Sequence, residues 1–172
     1  MSTFSEIKPE DFAVSPFRMI GKEWMLIAAE KEGHCNAMTA SWGGLGVMWG
    51  KNAVFAVIRP QRFTKEFVDA SGTFSLNFFA PEHHSKLEYM GSVSGRDEDK
   101  IAHTGLTVAH DAGAPYFGEA RAVILCRKLF AQPYLPESFL DRTVEKTWYP
   151  DKDYHTLYVG EVTKILAKRG SL

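Results

Sequence analysis

Short apolar segments separated by turn residues dominate the hydrophobic pattern of the chain. Five segments have the length and composition of β-strands: residues 24–29, 53–58, 73–78, 120–130 and 155–167. The first two are continuously apolar, the third alternates polar and apolar side chains, and the last two are longer and β-rich. Gly160, inside the last segment, predicts a bulge or a close approach of another group to the backbone.

Three segments between these strands carry helical signals. Residues 60–70 and 81–90 each begin with proline and have a glycine shortly after their last residue. Residues 97–103 form a shorter, charged stretch that ends before Gly105. Because so few helices cannot cover the crossovers of a parallel sheet, the pattern predicts a mainly β fold, an antiparallel barrel with peripheral helices.

Composition and charge fit one globular domain. The 172 residues are 45% hydrophobic and 24% charged with a net charge of −1, so we expect no nucleic-acid partner and no anionic membrane partner. The longest apolar runs have six residues, whereas a membrane span needs about 20. Without repeats or linkers, we expect a single domain over residues 1–172. Two cysteines and an N-terminus without the pattern of an export signal predict a cytoplasmic protein.

The segment from Asn36 to Gly44, with the sequence NAMTASWGG, is the most unusual in the chain. An amide, two hydroxyl groups and an indole precede glycines that allow another group to approach the backbone closely. Such a loop offers hydrogen-bond donors for an anion, and Trp42 offers a flat apolar surface. A glycine-rich hairpin with a buried tryptophan is the alternative, and this segment by itself leaves both interpretations open.

The segment from Arg59 to Thr64, with the sequence RPQRFT, follows a predicted strand and begins a predicted helix. Its two guanidinium groups and its hydroxyl can hold a phosphate through charge-assisted hydrogen bonds, although ordinary surface arginines have the same composition. A strand pair between residues 36–42 and 53–59 would bring this segment beside the first one.

Two later segments carry further polar groups. Ser94 and Gly95 precede a charged turn that ends at Lys100, which is either a cation of a binding site or part of a solvated helix face. Residues 149–156 are aromatic and acidic. His155 in this segment is either a hydrogen-bonding or proton-donating group of a site, or a histidine at a strand edge.

Other chemistries have little support in the sequence. Residues 44–50 contain G-x-G but lead into a strand, so we exclude a dinucleotide fingerprint. The G-x-S-x-G elbow of hydrolases is absent, and the His and Cys positions lack the spacing of metal ligands. We therefore predict no metal site. Cys35 is either redox-active or a packed small side chain.

Four motifs, in this order, resemble those of the flavin reductase-like, FMN-binding split-barrel family, and its flavoredoxin-like branch most closely. They are NAMTASWGG at 36–44, RPQRFT at 59–64, SGRDEDK at 94–100 and DYHT at 153–156. The resemblance covers about residues 15–167 and implies an antiparallel split β-barrel of Greek-key type that binds FMN and forms a homodimer. The cofactor contacts that it implies are Asn36, Met38, Thr39, Ala40, Ser41, Trp42, Arg59, Arg62, Thr64, Ser94, Lys100 and His155.

The same resemblance implies an oxidoreductase. Such a protein takes hydride from NAD(P)H onto bound FMN and passes electrons to a flavin, a metal complex or a protein acceptor. No protein nucleophile is required, and His155 is the one candidate for a catalytic side chain. An FMN-binding electron carrier that a partner protein reduces is the alternative, and the cofactor motifs do not separate the two. A third possibility is a barrel that has lost its flavin.

Overall fold

The computed structural model describes residues 3–170 and is built mainly from antiparallel strands. The strands in this part of the chain are β1 (Phe4–Ile7), β2 (Met25–Lys31), β3 (His34–Ala40), β4 (Gly43–Met48), β5 (Lys51–Ile58), β6 (Thr73–Phe78), β7 (Val108–Asp111), β8 (Ala114–Phe117), β9 (Ala122–Pro133) and β10 (Thr156–Lys168). The helices are α1 (Pro16–Gly21), α2 (Thr64–Ala70), α3 (His84–Ser92), α4 (Lys100–Thr104) and α5 (Arg142–Trp148). Single turns of 3-10 helix lie at Pro9–Asp11, Pro81–His83 and Pro136–Ser138. The predicted mainly β, antiparallel fold is confirmed.

The main sheet is rolled into a split barrel. Its strands follow the order β3-β2-β6-β9-β10-β5-β4, and β1 pairs with β10 at the side. In a flat sheet β3 and β4 would lie roughly 29 Å apart, because adjacent strands are about 4.8 Å apart. In the chain, however, β3 ends at Ala40 and β4 begins at Gly43. Three residues of extended chain span at most about 11 Å, so the Cα atoms of Ala40 and Gly43 cannot lie farther apart than this. The sheet must therefore curl until its two edges meet at Ser41 and Trp42, where no strand pairing within residues 3–170 closes it.

The predicted pairing of residues 36–42 with residues 53–59 is wrong. β3 pairs with β2, from Lys31 opposite His34 to Met25 opposite Ala40, and β5 pairs with β4 and β10. Glu32 and Gly33 have positive φ angles of 53° and 76°, which is the backbone of a tight two-residue hairpin turn. This local turn decides the partner of β3, and the two segments approach each other through the curl of the sheet instead.

All five strands predicted from the apolar pattern are present, with ends that shift by up to three residues. Gly160 shows both predicted features. The register between β10 and β9 shifts between Val159 and Gly160. A Cβ atom at this position would also lie 2.7 Å from Cζ of Phe74, so the side chain of Phe74 occupies the space that any larger residue would need.

The predicted helices are shorter or displaced in the structure. Residues 60–63 form a turn, in which the backbone N–H of Arg62 donates to the carbonyl of Arg59, and α2 begins only at Thr64. The second prediction splits into a 3-10 turn and α3, which continues through Gly91 to Ser92. α4 ends before Gly105, whose φ of 62° provides a left-handed cap.

Two apolar clusters bury both faces of the central strands. Along β2, Met25, Ile27 and Ala29 belong to one cluster, whereas Leu26 and Ala28 belong to the other. This double burial explains why β2 is continuously apolar instead of alternating. None of the helices in residues 3–170 combines the length and the apolar character needed to span a membrane.

The connection between β9 and β10 contains α5 and is called the 134–155 segment here. Asp153 ties it to the start of the α2 region, because its Oδ2 accepts hydrogen bonds from Arg59 Nη1 and, at 2.7 Å, from Gln61 Nε2. Arg59 Nη2 also donates to the carbonyl of Trp148 at 2.8 Å. These contacts hold α5 beside the split of the barrel.

Candidate functional site

A cavity of about 210 Å³ lies at the split, where β3 passes into β4. Eight residues that the sequence singled out line it together: Met38, Thr39, Ala40, Ser41, Trp42, Arg59, Arg62 and His155. Val57 and Trp148 complete the lining. Two indoles, an imidazole and two guanidinium groups therefore border one space, which we call the ring cavity.

A second cavity of about 180 Å³ adjoins the first and is called the cation cavity here. Met38 and Arg62 line both cavities, so the two spaces share a wall. Thr64, Ser94 and Lys100 also line the second one. Asn36 is the one predicted site residue that lines neither, and it lies instead at a neighbouring cleft of about 690 Å³.

Lys100 lines the cation cavity and is buried, with 3% of its surface exposed. Its Nζ donates to the carbonyl oxygens of Met90 at 2.9 Å and Val93 at 3.2 Å. An ammonium group has three N–H donors, so one remains for a ligand. Burial, followed by the nearby charge of Arg62, lowers the pKa of Lys100 to about 8.

Arg62 is the second cation of this cavity. Its Nη1 donates to the carbonyl oxygen of Gly91 at 2.9 Å, and burial lowers its pKa. Within residues 3–170, neither Arg62 nor Lys100 forms an ion pair with a carboxylate. A pair of partly desolvated cations without a protein counterion is costly, and an anionic ligand compensates for this cost.

The threonine hydroxyls of the site play different parts. Thr39 Oγ1 donates to the carbonyl oxygen of Leu87, so its hydroxyl proton is bonded to the protein and its oxygen can still accept a hydrogen bond. Thr64 Oγ1 instead accepts from Nδ2 of Asn36 at 3.0 Å. Its own proton stays available to a group in the cation cavity. Asn36 thus acts behind the cavity wall, where it orients Thr64.

Arg59 is committed to the protein, although it lines the ring cavity. Both of its terminal nitrogens bond to the 134–155 segment, through Asp153 and the carbonyl of Trp148. Its guanidinium also lies over the ring of Tyr149, 5.1 Å from the ring centre. Arg59 therefore anchors the segment that forms one wall, and the free positive charge of the site comes from Arg62 and Lys100.

His155 is buried in the wall of the ring cavity. Its Nδ1 lies 2.8 Å from the hydroxyl oxygen of Tyr149, and its ring centre lies 5.2 Å from that of Trp42. Burial, and then the positive charge of Arg59, lowers the pKa of His155 to about 4, against a smaller opposing effect of Asp153. The imidazole is therefore neutral at pH 7.

The mouth of the ring cavity is flanked by two indoles. Trp42 is partly exposed, not buried as the hairpin interpretation expected, although residues 43–58 do form the glycine-rich hairpin of that interpretation. Trp148 packs edge-to-face against it, with ring centres 4.9 Å apart, and is 50% exposed. The two side chains offer aromatic surface to a planar ligand.

The sequence singled out neither Trp148 nor the structural role of Tyr149 and Asp153. Trp148 directly precedes the aromatic segment 149–156, and this position is the one feature of the sequence that points to it. The carbonyl oxygens of Met90, Gly91 and Val93, which hold Lys100 and Arg62, carry no side-chain signal at all.

Cys35 has the properties of a packed thiol. It is half-buried beside the large cleft, and burial together with the charge of Glu30 raises its pKa to about 12. A thiol needs its thiolate form to react, so the structure favours packing over redox chemistry. No group of three or more His, Cys, Asp and Glu residues in the described part of the chain could hold a metal ion.

A family model described as the flavin reductase like domain matches residues 17–172 of the chain. An uncharacterized protein from Aeropyrum pernix is 29% identical over 103 residues, which are 58% of this chain and 39% of that protein. The match thus spans well under half the length of this curated relative.

Two solved structures resemble the chain over most of its length. An FMN-binding domain of a flavin reductases-like enzyme from Shewanella baltica has a TM-score of 0.72 and 17% identity, covering 99% of this chain and 82% of that one. A flavoredoxin from Methanosarcina acetivorans has a TM-score of 0.70 and 22% identity, covering 87% of this chain and 70% of that one. At these identities the likeness establishes the fold.

Proposed function

Because the chain belongs to the flavin reductase like domain family, we propose that it is a flavoprotein oxidoreductase that binds FMN, accepts hydride from NAD(P)H and passes electrons to a further acceptor. One observation carries the cofactor assignment. Arg62 and Lys100 form a doubly cationic cavity without a carboxylate partner in residues 3–170, and this cavity adjoins an aromatic one.

The cation cavity fits the phosphate end of a mononucleotide. Lys100 offers its third N–H, Arg62 its remaining guanidinium donors, and Thr64 its hydroxyl proton. A phosphate monoester brings up to two negative charges and several acceptor oxygens, so it satisfies these donors and neutralises both cations. Ser94, which lines the same cavity, adds a further hydroxyl.

The ring cavity fits a planar heterocycle with polar edges. Trp42 and Trp148 supply aromatic surface, while Ser41 and His155 supply polar atoms. Together, the two cavities reach the size range of small-ligand sites, roughly 300–1,000 Å³. Their shared wall of Met38 and Arg62 would lie beside the chain that links ring and phosphate.

The protein contributes binding and electrostatics, since FMN when bound supplies the two-electron chemistry itself. Neutral His155 places a polar nitrogen at the ring cavity without adding charge. The cations Arg62 and Lys100 lie toward the other cavity, where they favour anionic groups. Acceptors in keeping with this proposal are a free flavin, a metal complex or a partner protein.

An absorption spectrum of the purified protein, followed by titration with FMN, tests the cofactor assignment. We expect a flavin spectrum, and we expect K100M to lose affinity while K22M, which changes an exposed lysine, does not. A protein that stays colourless after incubation with FMN would falsify the proposal.

Rapid mixing of the FMN-loaded protein with NADH and NADPH tests the enzymatic part. Bleaching of the flavin absorbance at a rate that saturates with nicotinamide supports an NAD(P)H-dependent enzyme. If only a reducing partner protein bleaches it, the chain is an electron carrier instead.

The proposal includes a homodimer and a cytoplasmic location, both as predictions from the sequence. Trp49 and Phe130 support the first, because both are exposed and their tilted rings contact each other with centres 5.9 Å apart. Light scattering after size exclusion measures the mass directly and would show a monomer if this expectation is wrong.

A further inference from the structure

We propose that Tyr149 is a positioning residue for His155: the Tyr149 hydroxyl donates to Nδ1 and thereby fixes the tautomer whose Nε2–H is a donor to a carbonyl oxygen in the ring cavity. This inference deepens the proposed function and rests on it for the identity of the acceptor. It assigns a role to a residue outside the cofactor motifs and gives His155 one defined chemical task.

The contact between the two side chains is short, buried and geometrically fixed. The hydroxyl oxygen of Tyr149 lies 2.8 Å from Nδ1 of His155. Only 5% of Tyr149 and 7% of His155 is exposed. Their rings meet edge to face, at 85° with centres 5.6 Å apart. Water therefore has little access to this hydrogen bond.

The direction of the hydrogen bond follows from the donors and acceptors that are present. His155 is neutral at pH 7 because burial and Arg59 lower its pKa, so it carries one ring proton. In residues 3–170, the Tyr149 hydroxyl has His155 as its hydrogen-bond partner. If Nδ1–H donated to this hydroxyl, the buried phenolic proton would lack an acceptor, which is costly. When the hydroxyl donates instead, the phenolic proton and Nδ1 are both paired, and Nε2 carries the one ring proton.

The surroundings of Tyr149 prevent its hydroxyl from turning away. The guanidinium of Arg59 covers one side of the ring at 5.1 Å from its centre. The rings of Phe139 and Tyr154 pack against it with centres 5.5 Å and 5.3 Å away. Arg59 itself is held by Asp153. The hydroxyl is therefore positioned by packing and charge, as a positioning group must be.

His155 lines the ring cavity whereas Tyr149, which contacts its Nδ1 edge, does not, so the proposal assigns the opposite edge of the imidazole to the cavity. His155 lines this cavity beside Trp42, and its backbone is fixed because its carbonyl accepts from the Tyr134 N–H at 2.8 Å. An N–H donor at this place recognises an acceptor atom, and the carbonyl oxygens of a flavin ring or of a nicotinamide carboxamide are such acceptors.

Nitrogen NMR of protein labelled with ¹⁵N-histidine tests the tautomer without any need for activity. H155Q identifies the resonances of His155, and two-bond correlations to the ring protons distinguish the protonated from the unprotonated nitrogen. We expect a protonated Nε2 in the native protein and a mixture of tautomers in Y149F. The matched control is Y154F, which removes a hydroxyl bonded to Glu145 in the same segment and should leave the tautomer of His155 unchanged.

Two outcomes overturn the proposal: a protonated Nδ1 in the native protein, or an unchanged tautomer in a folded Y149F. If Y149F does not fold, the spectrum of the native protein decides alone.

Two additions then identify the acceptor. A shift of the Nε2 resonance on adding FMN assigns the carbonyl to the flavin, and a shift only when NAD⁺ or NADP⁺ follows assigns it to the nicotinamide. No shift at either step, in protein that demonstrably binds FMN, contradicts the donor role. Protein that binds no FMN refutes the proposed function instead, while the tautomer in the ligand-free protein is still decided by the first measurement.

Discussion

Arg62 and Lys100 face one cavity and both donate to main-chain carbonyls of the same short stretch, residues 90–93. Each charge is thus stabilised by main-chain carbonyl dipoles. Within residues 3–170, neither charge forms an ion pair with a carboxylate. The arrangement keeps both side chains oriented toward the cavity while their charge remains uncompensated. An anion that enters finds donors already in place and meets little entropic cost of ordering them.

Removal of either charge should weaken FMN binding. In the proposed FMN complex, K100M and R62M each delete a charge-assisted hydrogen bond to phosphate, which corresponds to about 1.5–3 kcal/mol of binding free energy. Quenching of FMN fluorescence during titration measures the affinity. Unchanged affinity in both variants would remove the phosphate role from these residues.

The ligand-free protein should become more stable as the pH rises from about 8 toward 10.5. The pKa of Lys100 is about 8 in the folded chain and has an ordinary value of 10.5, so the unfolded chain binds more protons in this range and unfolding becomes less favourable with rising pH. Urea unfolding at several pH values measures this trend. Native protein should show a steeper rise than K100M, and equal slopes would contradict a depressed pKa at this residue.

Acidification should destabilise the protein through His155. Its pKa is about 4 in the folded state against an ordinary 6.5, so the unfolded chain takes up the proton first and stability falls as the pH drops from 6.5 to 4. Chemical denaturation at pH 5 and pH 7.5 gives the difference. H155Q should reduce the pH dependence, whereas H34Q, which changes an exposed histidine, should retain it; similar profiles for both variants would exclude His155 as the source.

Loss of Asp153 should loosen the 134–155 segment. In D153A, Arg59 and Gln61 lose their shared acceptor, which should lower the free energy of unfolding by about 1–3 kcal/mol. Hydrogen exchange measured by mass spectrometry should rise first in α5. D151A removes an exposed carboxylate of the same segment and serves as the control. Equal exchange in the two variants would show that Asp153 is not the anchor.

A side chain at position 160 should strain the barrel. In G160A, the new methyl group would meet Cζ of Phe74 at 2.7 Å, and forced overpacking of this kind costs about 1–3 kcal/mol. Thermal unfolding measures the loss. G21A is the matched control, because a Cβ atom there has no neighbour within 4 Å; a comparable loss in both variants would contradict the steric explanation.

The apolar pattern predicts the central strands well because most of their side chains are buried. β2, β5 and β6 appear in the sequence as apolar or alternating runs, and the structure has them with small shifts at their ends. The apolar pattern does not predict β4, because its sequence GGLGVM has few side chains to bury. This strand is defined by its pairing with β5. The apolar pattern does not predict α5 either, because no side chain in residues 142–148 is buried.

The motifs predict which residues gather at the site, but not which of their groups are free. Eleven of the twelve predicted contacts line the two adjoining cavities, although the pairing expected to bring them together is wrong. The sequence could not show that Arg59 is occupied by Asp153 or that the Thr39 proton is given to Leu87. Both depend on partners 94 and 48 residues away in the chain, which no local pattern reveals.

The walls of the ring cavity come from parts of the sheet that are far apart in the strand order. They include the end of β3, Val57 of β5 and two residues of the 134–155 segment, and four strands lie between β3 and β5. These walls reach their relative positions only when the four intervening strands have paired and the sheet has curled. A chain in which one of these strands is unpaired lacks a complete cavity. FMN that stays bound through purification would therefore report that these strands have paired.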